Sequence, residues 1–266
     1  MKTVPHDYYL KFMDVSVFDD ILKFHSKTNF TIHKAVEPIT SLHFLPAAIL
    51  EQLTGNELKF YPDMDLTIQT PTIEHLKLCN PLSRIDSCSF FPKQKLSFDK
   101  IKKLISPLLT KTSSTYKRGY PSGGALYPIE VFLCNLSENI TDWPCNENIL
   151  HLLPQSKKFE IIQCSADREK LIQAIIPSPN QIGSPNIAIV YAVYIPKTIF
   201  KYRHRGYRLA HLEAGSMYML IDLMSKQLQL PNRVWSGYCD NMLSKCLGLN
   251  PTLLFPLCVQ LIGGEQ

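Results

Sequence analysis

The chain has 266 residues and a mass of 30.4 kDa, enough for one large domain with a well-filled core or for two small ones. Hydrophobic residues make up 45% and charged residues 19%, which excludes a disordered or collagen-like chain. The formal net charge of +5 is too small for a protein built chiefly to coat nucleic acid.

The longest apolar run, residues 187–195, reaches about half of the roughly 20 residues that a bilayer span needs, so no membrane partner is expected. Residues 1–10 carry no apolar signal-peptide core. Eight cysteines (Cys79, Cys88, Cys134, Cys145, Cys164, Cys239, Cys246, Cys258) stand far apart with no Cys-x-x-Cys pair. A cytoplasmic protein with free, mostly buried thiols and no metal site is therefore expected.

Residues 1–80 are rich in aromatics and prolines, as in Phe44-Leu45-Pro46 and Phe60-Tyr61-Pro62, and read as an irregular N-terminal segment with a few helices. Residues 81–266 form the main domain. Ser97 caps a helix in which Phe98, Ile101, Leu104, Ile105 and Leu108 share one face. Residues 129–136, β-branched and aromatic after a Gly-rich turn, predict a strand, and 187–195, apolar on both faces, a central one. A long helix follows over 208–229, with small residues at Ala210, Ala214, Gly215 and Ser216 that suit a domain centre or a dimer interface. Asp240 caps a short helix closed by Gly248, and residues 256–262 form a last strand. Helices and strands without regular βαβ alternation predict an α+β fold.

Three segments carry chemistry. In Arg118-Gly119-Tyr120-Pro121-Ser122-Gly123-Gly124-Ala125-Leu126-Tyr127-Pro128, two adjacent glycines free the backbone to approach a flat or anionic ligand, and Arg118 supplies a bidentate donor. On the residues alone this is either a ligand-facing corner or a tight loop entering a strand. The run from Lys197 to Arg208 holds Lys197, Lys201, Arg203, Arg205 and Arg208 with three aromatic rings and no acid. Such a run suits single-stranded nucleic acid, an anionic cofactor or a solvated loop, and crowding by like charge tends to depress the pKa of Lys201 toward that of a general base. In Trp235-Ser236-Gly237-Tyr238-Cys239-Asp240, main-chain N–H groups of Ser236 and Gly237 face a helix entrance or simply close a capped turn. His204 and His211 lack carboxylate or cysteine companions at ligand spacing, and no Ser–His–Asp order can be read.

Taken in order, Pro121–Pro128, Ile129–Cys134, Phe200–Arg208, Glu213–Tyr218 and Asn232–Tyr238 resemble the SagB-type thiazole/oxazole-forming peptide dehydrogenases, a branch of the flavin-dependent nitroreductase-like fold, and within it the dehydrogenase subunits of microcin-B-type synthetases. The likeness runs over residues 81–263. It implies a central mixed or antiparallel sheet flanked by helices, and a homodimer holding FMN at its interface. It also implies oxidation of thiazolines and oxazolines in a ribosomally made precursor peptide to thiazoles and oxazoles, by base removal of the Cα proton and hydride transfer to flavin N5. The implied partners are a YcaO-type cyclodehydratase and a peptide-recognising subunit. The family's Lys-Tyr pair falls on Lys201 and Tyr202, which are carried over as catalytic, with Lys201 as base. Pro121, Ser122, Gly123 and Gly124 fall where that fold contacts the flavin ring, and Ser236-Gly237 where a main-chain N–H approaches N5. The family's phosphate motif falls on residues 84–90: Arg84 and Phe90 are kept, Asp86 and Cys88 replace a hydroxyl and a cation, and Arg118 is the candidate for the missing charge.

Overall fold

A computed structural model describes residues 7–31, 46–49, 84–111, 117–163, 167–177 and 182–265. The chain divides into two units, Met1–Ile32 with Arg84–Gln266, and His33–Ser83. In the smaller unit the described residues are 46–49, where the Ile49 N–H donates to the Pro46 carbonyl at 2.9 Å.

In the larger unit α1 (Asp7–Lys11) and α2 (Val15–Thr28) come first. The Asp14 carboxylate accepts from the Ser16 and Val17 N–H groups at 2.9 and 3.4 Å, satisfying donors that the first turn leaves free. Val17, Ile21 and His25, four apart, form the buried stripe of α2 and tie this early segment to the main core. After β1 (Leu96–Ser97), Ser97 caps α3 (Phe98–Ile105), accepting from the Lys100 N–H at 3.3 Å. Phe98, Ile101, Leu104 and Ile105 are buried as their spacing predicts, and Leu108 follows in a 3₁₀ turn.

Six strands make one sheet: β2 (Ile129–Asn135), β4 (Ile149–Leu153), β5 (Lys158–Ile161), β6 (Ile187–Tyr194), β7 (Asn232–Trp235) and β8 (Leu254–Ile262), in the order β5-β4-β2-β6-β8-β7. Every neighbouring pair is antiparallel. A two-stranded parallel pair joins β1 to β3 (Ile140–Thr141). β6 is central, as its unbroken apolar run predicts. Ile187, Ile189, Tyr191 and Val193 enter one core with α2, α3 and α6 (His204–Gln227), while Ala188, Val190 and Ala192 enter a second with α4 (Arg168–Ile175) and α7 (Asp240–Cys246). The period-2 alternation of one strand thus sets a helix–sheet–helix sandwich. Pro256, which has no N–H to give the ladder, stands at the register shift between Tyr191 and Ala192.

α5 (Pro196–Tyr202) and α6 meet at a sharp break where Arg203 has φ 50° and ψ −138°. Gly206 allows the two helices to close: a Cβ there would lie 2.9 Å from the Thr198 carbonyl carbon. α6 begins four residues before the predicted helix. It buries Ala210, Glu213, Ala214, Met217, Ile221, Asp222 and Ser225, a stripe at helical spacing that carries two carboxylates. One capping expectation is corrected. Cys239 is the N-cap of α7, and Asp240 is its first helical residue, whose carboxylate accepts from the Phe30 N–H at 2.8 Å. Gly248, with φ 67°, closes that helix as expected. The six described cysteines are all free; Cys79 and Cys164 lie outside the described residues. Among the described residues no helix is long and apolar enough to cross a membrane.

The sheet interior holds a polar chain: the Tyr191 hydroxyl donates to Gln260 Oε1 at 2.8 Å, and Gln260 Nε2 donates to Asn232 Oδ1 at 3.2 Å. Tyr191→Phe strands a buried acceptor and is expected to lower unfolding free energy by about 1–3 kcal/mol, read as a shift in the urea midpoint.

Candidate active site

The Pro121–Pro128 loop is strained and held from beneath. Gly124 (φ 62°), Ala125 (φ 54°) and Tyr127 (φ 50°) are left-handed, a conformation that alanine and tyrosine rarely adopt. Tyr127 is fixed at both ends: its N–H donates to Ser122 Oγ at 2.9 Å, and its hydroxyl accepts from the Arg118 N–H at 3.1 Å. The Arg118 guanidinium lies 4.5 Å from the Tyr127 ring centre and donates to the Tyr120 hydroxyl at 2.8 Å. α6 brings the buried carboxyl of Glu213 up from below. Burial pushes Glu213 up to about 7, against the pull of Ser122, Arg118, the Ile129 N–H and Lys197.

Lys201 and Tyr202, at the end of α5, meet the outer side of this loop. A Cβ built on Gly124 would lie 2.6 Å from the Tyr202 hydroxyl and 2.9 Å from Lys201 Nζ; on Gly123 it would lie 3.0 Å from Leu209 Cδ1. A side chain on residue 124 would have to displace the tips of Tyr202 and Lys201. Lys201 is exposed, its Nζ 5.2 Å from the Tyr202 ring centre. The structure therefore brings Lys201, Tyr202, Gly123 and Gly124 into one corner, with Ser122 as its anchor.

The basic run around Lys201 is not a continuous stripe. Lys197 pairs with Glu130 at 3.6 Å, Arg203 with Asp14 at 2.8 Å, and His204 with Asp20 at 3.2 Å. Glu130 is drawn into a further set. Burial pushes its carboxyl up, but the hydrogen bond from His151 and the charges of Lys197 and Arg118 outweigh this and hold it below the usual range. His151 is raised, the hydrogen bonds to Glu130 and Glu160 outweighing its burial. His211 Nδ1 meets the Tyr207 carbonyl at 2.9 Å, and among the described residues no cluster of His, Cys, Asp or Glu could hold a metal ion.

The remaining expected contacts gather elsewhere. Arg84 Nε lies 3.5 Å from the buried Asp222 Oδ2 and its side chain stays half exposed, while its Nη2 donates to Ser87 Oγ at 3.1 Å. The segment after it is stitched to β7: the Cys88 N–H donates to the Asn232 carbonyl at 2.9 Å, and Arg233 Nη1 donates to the Cys88 carbonyl at 3.3 Å. Arg233, to which the sequence had given no role, is thus the cation beside the Arg84 segment, whereas Arg118 is engaged under the loop. At the end of β7, Gly237 packs against the Trp235 indole, where a Cβ would lie 2.6 Å from Cζ2, and Ser236 is exposed. Ser236 also lines a polar cavity of about 160 Å³ with His25, Tyr207, His211, Tyr238 and Asp240. His25 stacks on Phe255 at 3.8 Å between ring centres, and its Nδ1 lies 3.3 Å from the Tyr207 hydroxyl.

These two groups of residues take opposite faces of α6. Tyr207 and His211 face the Ser236 cavity, Leu209 and Glu213 face the Gly-Gly loop, and residues two apart on a helix are about 200° apart.

No family model matches the chain. The architecture recurs in a crystal structure assigned to the nitroreductases from Ralstonia eutropha, which superposes with a TM-score of 0.59 at 17% identity, covering 77% of this chain and 88% of that one. The fold is therefore nitroreductase-like. The microcin B17-processing protein McbC of Escherichia coli is 35% identical over 254 residues, covering 95% of this chain and 92% of McbC. A chain in the structure of the E. coli microcin synthetase McbBCD complex, with truncated pro-MccB17 bound, superposes with a TM-score of 0.87 at 34% identity, covering 99% of this chain and 98% of that chain. The chain belongs to the McbC family, as its motifs imply.

Burial, with the nearby His211 charge, lowers His25 to about 4. Between there and the ordinary value of about 6.5 the unfolded chain binds a proton that the native chain does not, so stability is lost as pH falls through that window. Glu213 has the opposite sign, since its folded carboxyl holds a proton over a window where the unfolded one does not. His25→Gln should therefore shrink the loss of unfolding free energy between pH 7 and pH 4.5, measured by urea denaturation at both.

Proposed function

We propose that this protein is an FMN-dependent azoline dehydrogenase that oxidises thiazoline and oxazoline rings of a ribosomally made precursor peptide to thiazoles and oxazoles. The observation that carries this is the meeting of Lys201 Nζ and the Tyr202 hydroxyl at the side-chain-free backbone of Gly124. Aromatising an azoline removes a proton from Cα and a hydride from the neighbouring ring carbon, about 2 Da per ring. Lys201 Nζ accepts the Cα proton, which the exocyclic carbonyl and the ring C=N acidify. The Tyr202 hydroxyl, fixed beside it, donates to the azoline and orients the ring.

The residues present fit FMN. Arg84 and Arg233 lie on segments stitched together and offer cations to a phosphate. Ser236 and Gly237 present main-chain N–H groups at a place where a side chain on residue 237 would strike Trp235, and Gly123-Gly124 offers a flat, bare surface. FMN, when bound, supplies the hydride acceptor. Because the two half-cradles face opposite sides of α6, one flavin touching both takes them from two copies of the chain, which supports a homodimer. That the E. coli relative was solved inside McbBCD with truncated pro-MccB17 supports a synthetase setting here, with a cyclodehydratase and a peptide-recognising subunit as partners.

The test is an absorption spectrum of the purified protein followed by mass spectrometry of a co-expressed precursor. A yellow protein and a loss of about 2 Da per ring beyond dehydration support the assignment; turnover of nitroaromatics with NAD(P)H and no peptide oxidation overturns it. Lys201→Ala is expected to leave a folded, yellow protein with azoline oxidation down on the order of 10²–10⁴-fold; full activity would remove Lys201 from the mechanism. Gly124→Ala and Gly248→Ala both place alanine at positive φ, costing about 1 kcal/mol each. Gly248 has open space around it, so only Gly124→Ala should displace Lys201 and Tyr202 and abolish peptide oxidation in the same assay.

A further inference from the structure

The register of β2, β4 and β5 puts Glu130, Phe132, His151 and Glu160 on one face of the sheet: His151 stands opposite Phe132 on one side and Glu160 on the other, with Glu130 diagonal to it. The His151 ring stacks on Phe132 with 4.9 Å between centres. It turns one nitrogen to each carboxylate, Nε2 at 3.2 Å from Glu130 Oε2 and Nδ1 at 2.9 Å from Glu160 Oε2. A neutral imidazole has a single N–H to give, so it is the imidazolium that makes both bonds. The other oxygen of Glu130, Oε1, lies 3.6 Å from Lys197 Nζ, and both side chains are largely withdrawn from water. Lys197 stands in the first turn of α5, whose N-cap, Ile195, offers no side-chain acceptor. Glu130 stands two residues after Pro128, where the Gly123-Gly124 loop ends. One ion pair thus joins the two elements that make the corner, close to where each is rooted.

Resting on the dehydrogenase site proposed above, we infer that Glu130 is a positioning residue for that reaction: clamped in the sheet by His151, it holds Lys197 and so seats α5 where Lys201 and Tyr202, one turn further on, meet Gly124. Glu130 acts through Lys197 and has no step of its own in the chemistry. A helix of seven residues is too short to hold its place unaided; at its far end Arg203 pairs with Asp14 at 2.8 Å, so α5 is tethered by an ion pair at each end. The charged groups facing His151 are Glu130 from β2 and Glu160 from β5. Glu130 also faces Lys197 from α5, Arg118 and Tyr120 from the approach to the loop, and Tyr9 from α1. Burial lowers the pKa of His151, but the bonds to both carboxylates outweigh it and raise the group above its ordinary value. The clamp is therefore complete in acid and loses one of its two bonds as pH rises through that raised value.

The experiment is hydrogen–deuterium exchange of the full-length protein over residues 197–203, with α7 as internal reference, alongside turnover of the azoline peptide. Glu130→Gln and Lys197→Met are each expected to speed exchange there by about threefold or more, non-additively when combined, with α7 unchanged. Both should lower kcat with little change in KM for the peptide, and Lys197→Arg, which keeps the pair, should stay near wild type in both readouts. In the wild type, exchange over 197–203 corrected for its intrinsic rate should be faster at pH 8.5 than at pH 6.5. His151→Gln, which cannot titrate, should abolish that difference. Wild-type exchange in Lys197→Met overturns the inference whether or not Glu130→Gln folds, and so does faster exchange with an unchanged kcat. Exchange that behaves as expected in a protein with no action on azolines upholds the seating of α5 and refutes only the dehydrogenase assignment.

Discussion

The site depends on a stretch of backbone that would not hold its shape alone. Within four residues, Gly124, Ala125 and Tyr127 are left-handed, a conformation that costs non-glycine residues about 1–2 kcal/mol each. What opposes that cost is a compact polar set: Arg118 beneath Tyr127 and bonded to Tyr120, the Arg118 N–H bonded to the Tyr127 hydroxyl, and Ser122 bonded to the Tyr127 N–H. Tyr120 and Tyr127 are buried, and Arg118 and Ser122 partly so, because β2 starts immediately after the loop and α6 lies across it. The sheet and the long helix thus shield the underside of the loop, where hydrogen bonds hold best, while Gly124 and Lys201 stay exposed above it.

The same set explains which parts of the site were legible. Strong periodicity carried the fold: the Ser97 cap with its apolar face, the doubly buried β6 and the Gly248 stop all form as their residues predict. Gly123-Gly124 and Lys201 in its basic run stood out on the residues alone, Tyr202 came with the family resemblance, and the chain folds them together. Arg233 was not legible, since its significance comes from the Cys88 carbonyl, a partner far away in sequence. Glu213 carried a weak signal: a carboxylate among the buried residues of the long helix, as Asp222 is nine residues later. The register of α7 was missed by one residue because the Asp240 carboxylate serves the Phe30 N–H, a tertiary contact competing with a local cap.

Charge counting along the chain misleads for a related reason. Lys197 to Arg208 reads as a basic tract, yet part of it is paired by acids from elsewhere: Lys197 by Glu130 of β2, and Arg203 and His204 by Asp14 and Asp20 of the N-terminal helical segment. The α1–α2 segment consequently has a definite task in this unit. It caps the break between α5 and α6 by pairing Asp14 with Arg203, the residue that carries the unusual φ there. That break aims Lys201 and Tyr202 at the loop instead of continuing them along α6.

The proposed cradle is split between two faces of one helix, α6. Within a single chain, Arg84, Arg233, Ser236 and Gly237 belong to the β7 side, while the Lys201 corner belongs to the opposite side. In the proposed dimer, one flavin would take the β7-side residues from one copy and the Gly123-Gly124 corner, with Lys201 and Tyr202, from the other, and α6 would be the spacer between the two half-sites of each chain. Leu212, 68% exposed in the middle of that otherwise well-packed helix, is the kind of side chain such an assembly would cover. A helix bearing small residues at Gly206, Ala210 and Ala214 on its packed side and a bare leucine on the other is suited to fixing two half-sites at constant separation, which the proposed proton and hydride transfers would require.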